Sequence, residues 1–176
     1  MTYSLIPFKR NETSLEVLAS ASIKTDLIEL KYELSGPLES IMIPDEVSRD
    51  RKIGLWESTC FEFFLLDKNS SSYYEFNFSP SGMWNCFFFK KSGNELSESP
   101  CQISKFEVDK GANYFELVIH IDLNSLNQEF QNIDEFLVNL TAVLEKEKLS
   151  YWALSHGLEK PNFHDFKTYV EIKKVR

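Results

Sequence analysis

Two kinds of alternation run along this chain. In residues 27–34 the set Ile28, Leu30, Tyr32 and Leu34 alternates with Leu27, Glu29, Lys31 and Glu33, and in residues 114–121 Phe115, Leu117, Ile119 and Ile121 alternate with Tyr114, Glu116, Val118 and His120. A period of two with one charged face predicts antiparallel strands that are wet on one side. Leu15, Val17, Ala19 and Ala21 show the same pattern upstream, and Gly36-Pro37 ends the strand that follows. The second kind is found in residues 60–66, 73–79 and 84–89. There Cys60, Glu62, Phe64 and Leu66 alternate with Phe61, Phe63 and Leu65; Tyr73, Glu75, Asn77 and Ser79 with Tyr74, Phe76 and Phe78; and Trp84, Cys86 and Phe88 with Asn85, Phe87 and Phe89. Both faces are apolar and aromatic, with acids set among the rings.

The remaining segments complete an all-β pattern. Residues 3–8 read as a short extended start closed by Lys9 to Glu12, and residues 103–108 as a weaker strand. Phe136, Val138, Leu140, Ala142 and Leu144 form a strand whose other face carries Leu137, Asn139, Thr141 and Val143, residues 151–154 continue strand-like, and a loop from His156 to Asp165 precedes a last strand over residues 166–173. Leu123, Leu126 and Phe130 at i, i+3, i+7 predict one short helix, with Ser125 and Gln128 spaced as a capping box. Residues 38–53 read as a mobile loop leading into Trp56. Nine or ten strands with turn signals at sandwich spacing predict an antiparallel β-sandwich, a single domain over residues 1–176.

Composition narrows the function. Of the 176 residues 43% are hydrophobic and 26% charged, an ordinary globular mixture. The formal net charge of −8 and the scattered Lys and Arg argue against a nucleic-acid surface. No run approaches the ~18 consecutive apolar residues of a spanning helix, and the N-terminal residues lack the regions of a signal peptide, so no membrane partner is expected and a cytoplasmic location is. Cys60, Cys86 and Cys101 have no metal-like spacing and read as reduced core thiols. The sequons at Asn11, Asn69 and Asn139 matter only for a secreted protein.

With Phe61, Phe63, Tyr74, Phe76 and Phe78 turned to the core, Glu62, Glu75 and Asn77 face outward among Tyr73 and Phe64. Fixed carboxylates and amides in an aromatic frame suit a sugar, whose hydroxyls need acceptors and whose C–H face needs flat apolar area. The other reading is that a further layer of the chain covers this face and satisfies the acids internally. Trp56, Trp84 and Trp152 stand at strand ends. His156 and His164 flank a Gly/Pro loop and are placed to approach one another beside Asp165, without the close pair a zinc site needs. Four functions follow: a binding module, a glycoside hydrolase using Glu62 and Glu75, a haem binder drawing axial ligands from Met83, His156 and His164, and an interaction domain whose aromatic face meets another chain. No metal or resident cofactor is expected, and a sugar is the expected partner.

Three blocks carry a family resemblance: residues 55–64 around Thr59-Cys60-Phe61-Glu62, residues 73–84 from Tyr73-Tyr74-Glu75-Phe76-Asn77 to Trp84, and residues 150–164 from Ser150-Tyr151-Trp152 to Phe163-His164. Together they resemble the bacterial DOMON-like proteins, relatives of the family-9 carbohydrate-binding modules. The resemblance implies a β-sandwich that binds a small ligand on one sheet and its loops, without catalysis. It implies Glu62, Glu75 and Asn77 on the ligand's polar groups, and a clasp drawn from Trp56, Trp84 and Trp152. The chain departs from the family pattern at Ser58, where a His is common, and at Phe88, where an Arg is common.

Overall fold

The computed structural model describes residues 1–9, 14–44, 47–90 and 96–175. The sequon at Asn11 therefore lies outside the described residues. The strands in chain order are β1 (Thr2–Ser4), β2 (Ile6–Pro7), β3 (Glu16–Ile23), β4 (Leu27–Ser35), β5 (Cys60–Leu66) and β6 (Tyr73–Phe78). They continue with β7 (Trp84–Phe89), β8 (Ile103–Lys110), β9 (Tyr114–Asp122), β10 (Glu135–Glu145), β11 (Leu149–Ala153) and β12 (Val170–Lys173), and a single α-helix, α1 (Gln128–Gln131), is found among the described residues. The strand number exceeds nine or ten in part because the extended start read over residues 3–8 divides into two short strands, β1 and β2, that join different sheets.

Two antiparallel sheets pack face to face. One has the order β1-β3-β4-β9-β8, the other β2-β11-β10-β5-β6-β7 with β12 also paired to β10. β3, β4 and β9 behave as their alternation dictates: Ile28, Leu30, Tyr32 and Leu34 are buried, and so are Phe115, Leu117, Ile119 and Ile121. Their outer face is ionic, with Lys31 Nζ 2.9 Å from both Glu33 and Glu116. These pairs are solvated and add little stability.

The core lies between the sheets. Phe61 stacks on Phe115 across it with ring centres 5.3 Å apart, and Tyr32 donates a 2.6 Å hydrogen bond to the Glu62 carbonyl oxygen. Fully buried rings such as Phe61, Phe63 and Phe76 each contribute roughly 1.5–3 kcal/mol. The Tyr32 bond fixes the distance between the sheets directly beneath a residue whose side chain points the other way.

The helical region is shorter than its apolar spacing suggests. A 3-10 turn at Leu123–Ser125 precedes α1, and Ser125 does not form the capping box: its hydroxyl donates to the Asp122 carbonyl and accepts from the Gln102 amide. Asp122 caps the turn instead, accepting from the Asn124 amide. The segment read as a mobile loop is tied down at several points. Met42 donates its amide to Glu145, Ser48 to Ser81 and Lys52 to Trp84, all backbone to backbone. Arg51 Nη2 reaches the Cys86 and Ser99 carbonyls at 3.0 and 2.9 Å.

Candidate functional site

Sheet register decides which side chains share the outer face of the second sheet. Glu62 pairs with Asn77 on β6 and with Thr141 on β10, Phe64 pairs with Glu75 and Asn139, and Cys60 pairs with Val143, itself opposite Tyr151 on β11. Directly paired residues point the same way, so Glu62, Phe64, Glu75, Asn77, Thr141 and Tyr151 stand on one surface.

That surface is covered at its two ends and open in the middle. At one end Leu55 packs on Cys60 and Val143, joined by Met83. At the other, Tyr169 packs on Phe64 and Leu66, joined by Phe163 and Phe166. Further segments of the chain thus cover part of this face and leave part of it uncovered. Between the covers lies a cavity of about 660 Å³, within the ordinary range for a small-molecule site. Its floor includes Glu62 and Glu75. Its walls carry the rings of Trp56, Phe64, Phe89, Tyr151 and Phe163, with Glu57 and His164 at the sides.

Each wall has a local cause. Gly54 sits at φ +82°, a left-handed conformation that glycine adopts without penalty, and this turns the chain into the 3-10 segment Leu55–Glu57 that presents Trp56 over the sheet. Trp56 then meets Phe87 edge to face at 5.9 Å. Ser58 locks the end of that turn through a short hydrogen bond from its hydroxyl to the Glu145 carboxylate, while Thr59 Oγ1 accepts from the Glu145 amide at 3.1 Å. The opposite wall depends on the Phe163 carbonyl, which accepts from Asn139 Nδ2 at 3.3 Å and from the Tyr169 hydroxyl at 3.1 Å. The next residue, His164, is held by Tyr73, whose hydroxyl lies 3.0 Å from Nδ1.

The acids are buried and only partly satisfied. Glu62 is 3% exposed and Glu75 7%. Thr141 donates to Glu62 Oε2 at 3.0 Å, and Asn77 Nδ2 donates to Glu75 Oε1 at 2.9 Å, leaving one oxygen of each carboxyl without a hydrogen-bond partner among the described residues. His164 Nε2 lies 3.8 Å from Glu75 Oε2, too long for a direct hydrogen bond. Burial, and then the neighbouring Glu75 charge, push the Glu62 carboxyl up to about 8; burial raises Glu75 as well, against the opposing pull of its Asn77 bond. Partial burial lowers His164, which keeps its imidazole neutral near neutral pH.

Of the residues singled out by sequence, the cavity brings together Trp56, Glu62, Glu75 and His164. Asn77 is fully buried and supports Glu75 from within the sheet. Trp84 and Trp152 belong to the inner side of their strands. Trp84 donates to the Arg49 carbonyl under the Arg51 guanidinium, and Trp152 is 3% exposed in the core, its Nε1 on Ser150. Two Trp side chains therefore do not face one another across this cavity; the 3-10 turn places Trp56 there, and Tyr151 and Phe163 supply further rings of the lining. His156 is not near His164's station: its Nε2 bonds the Ile6 carbonyl at 2.9 Å and its ring meets Phe8. Met83 is packed with Leu55. Among the described residues no three His, Cys, Asp or Glu side chains are grouped to hold a metal ion.

Sequence reasoning missed Phe89, Tyr151, Phe163 and Glu57 as lining residues. Parity with Phe87 and with Val143 was the available signal for Phe89 and Tyr151. Phe163 and Glu57 lie in irregular segments, where no periodicity exists to read.

No protein-family model matches the chain, and no curated protein sequence matches it. Solved structures do. A protein from Bacteroides uniformis ATCC 8492 to which carbohydrate binding is ascribed superposes with a TM-score of 0.70 at 18% identity, over 99% of this chain and 86% of that one. A family-9 carbohydrate-binding module from Caldicellulosiruptor kristjanssonii, in complex with glucose, gives 0.55 at 10% identity over 99% and 84%. Its cellotriose complex gives 0.54 at 9% identity over 98% and 83%. At these identities the likeness is one of fold: the chain has the antiparallel sandwich that the family-9 modules share.

Proposed function

We propose that the cavity on the second sheet binds a sugar and does not turn it over. The observation that carries this reading is the placing of two fixed, incompletely bonded carboxyls at the floor of a cavity walled by aromatic rings. Hydroxyls of a pyranose supply donors for the free carboxyl oxygens, and its C–H face lies on Trp56, Phe64, Tyr151 or Phe163. Structures of like fold hold glucose and cellotriose, which supports the same class of ligand here.

Binding without hydrolysis follows from where the acids stand. A glycosidase places its two carboxyls on either side of the scissile bond, so that one protonates the leaving oxygen while the other works from the opposite face of the ring. Glu62 and Glu75 are diagonal neighbours on adjacent strands, both rising from the same sheet surface. Each therefore meets a bound sugar from the same side. His156 is held by Ile6, His164 by Tyr73, and Met83 packs with Leu55, which favours the sugar reading over haem ligation by these residues.

Titration calorimetry with a panel of mono- and disaccharides, glucose and cellotriose included, tests the reading. Saturable binding that Trp56→Ala abolishes is the expected result. A folded protein that answers to none of the panel overturns it.

A further inference from the structure

The charge of the cavity is one-sided. Three carboxyls line it, Glu57, Glu62 and Glu75, and among the described residues no Lys or Arg does. Glu62 and Glu75 are each more than nine-tenths buried, and each keeps an oxygen without a hydrogen-bond partner on the cavity they line. Elsewhere on this protein acids are matched with cations: Glu135 has Lys68 and Lys173, Glu29 has Lys24, Glu33 and Glu116 have Lys31. At the floor of the cavity no Lys or Arg among the described residues plays that part. Buried carboxylates without a counter-ion are unfavourable unless something supplies the positive charge.

A neutral sugar does not supply it. Hydroxyls complete the hydrogen bonds but leave two neighbouring acids to compete for one proton. An ammonium group seated between them satisfies both oxygens with charge-assisted bonds. The walls suit the same group, because the faces of Trp56, Tyr151 and Phe163 attract a cation that has left water. His164 offers no competing positive charge, since its burial keeps it neutral.

We propose that the ligand presents a protonated amine to the Glu62–Glu75 floor, so that the site takes an amino sugar in preference to its neutral counterpart. This rests on the sugar-binding reading above and narrows the class of sugar. Groups that face the amine from the packed elements are Glu57 from the 3-10 turn, Glu62 from β5, Glu75 from β6, Tyr151 from β11 and His164 from the loop before β12.

The test uses three compounds of one skeleton: glucosamine, glucose and N-acetylglucosamine, titrated into the whole chain below the amine's pKa. Glucosamine is expected to bind about tenfold or more tightly than either of the others. That lead should shrink as salt is raised and collapse in Glu75→Gln. Glu57→Gln, at an exposed position, provides a second variant that keeps the floor intact and should lose part of the lead. Equal affinity for glucose and glucosamine overturns the amine proposal and leaves the sugar site standing, as does an undiminished lead in both variants. A folded protein that binds none of the three overturns the sugar reading and the amine proposal together.

Discussion

The Tyr73 hydroxyl and His164 Nδ1 stand 3.0 Å apart, a contact that ties the loop before β12 to β6. Burial, and then the Glu75 charge, push Tyr73 up to about 12, so the phenol stays protonated and is a donor for the His164 tautomer whose Nδ1 carries no proton. In that tautomer the imidazole proton is on Nε2, 3.8 Å from Glu75 Oε2. Replacing Tyr73 by Phe removes the donor and keeps the ring that stacks on Phe89 at 4.6 Å. Tyr73→Phe should therefore leave the fold in place, shift His164 toward the other tautomer in nitrogen NMR, and weaken ligand binding by about five- to tenfold, in line with one lost hydrogen bond of ~1 kcal/mol.

Glu62 predicts a pH dependence of stability. Its folded value of about 8 is above the ordinary 4.5, so the folded state holds a proton that the unfolded chain has released. The contribution is fully present below pH 4.5, is lost as pH rises through the interval, and levels off above about 8. At pH 7 the penalty amounts to about 3 kcal/mol. Glu62→Gln, which keeps an acceptor for Thr141, should raise the urea midpoint at pH 8 and have little effect at pH 4. An equal gain at both values would place the effect outside ionisation.

The three Trp residues are separable by experiment. Trp56→Ala should abolish ligand binding with only a small loss of stability, because Trp56 covers the sheet from a short turn. Trp152→Ala should destabilise by roughly 3–5 kcal/mol, as truncations of large buried rings do. A milder Trp152→Phe should leave sugar affinity unchanged. Trp fluorescence of the Trp84→Phe, Trp152→Phe double variant should still respond to ligand, since the remaining Trp56 lines the cavity.

Arg51 ties the segment before the site to the edge of the sheet. Its guanidinium donates twice to Asn85 Oδ1, at 3.0 and 2.7 Å, and to the carbonyls of Cys86 and Ser99. Arg51→Ala leaves these acceptors without their partner and should destabilise by about 1–3 kcal/mol. Lysine has one donor group and no planar fork, so Arg51→Lys should recover only part of the loss in a denaturation midpoint.

The fold was legible where each strand has one wet face, as at Glu29-Lys31-Glu33 on β4, because the period states both the conformation and the direction of the core. It was also legible that Glu62 and Glu75 share a face, since parity alone places them there. Which Trp joined them was not. Trp84 and Trp152 are both at strand ends, and their faces depend on the register of β7 and β11 against neighbours distant in sequence. Nor was it visible that Leu55 and Tyr169 would cover the two ends of the face, because both arrive from irregular segments. The capping box failed for a related reason: Ser125 had a nearer acceptor at Asp122 and a donor from the chain before β8.

The seam on β10 has a consequence for how this molecule can be altered. β12 occupies that edge over Glu135–Val138 and β11 over Thr141–Glu145, and of the two positions between them, Asn139 and Leu140, the first is met by the loop that carries Phe163 and His164. That loop leaves the sheet after β11 and returns before β12, so its length and composition are free of any strand register. Its one tight point is Gly157, where a side chain would run into Asp165. Residues 158–164 are therefore a natural graft: exchanging them rebuilds one wall of the cavity while the carboxyl floor and the Trp56 wall stay as they are. A library confined to those seven positions would vary ligand choice, and variants that keep Phe163 and His164 would also keep the ties of the loop to Asn139, Tyr169 and Tyr73.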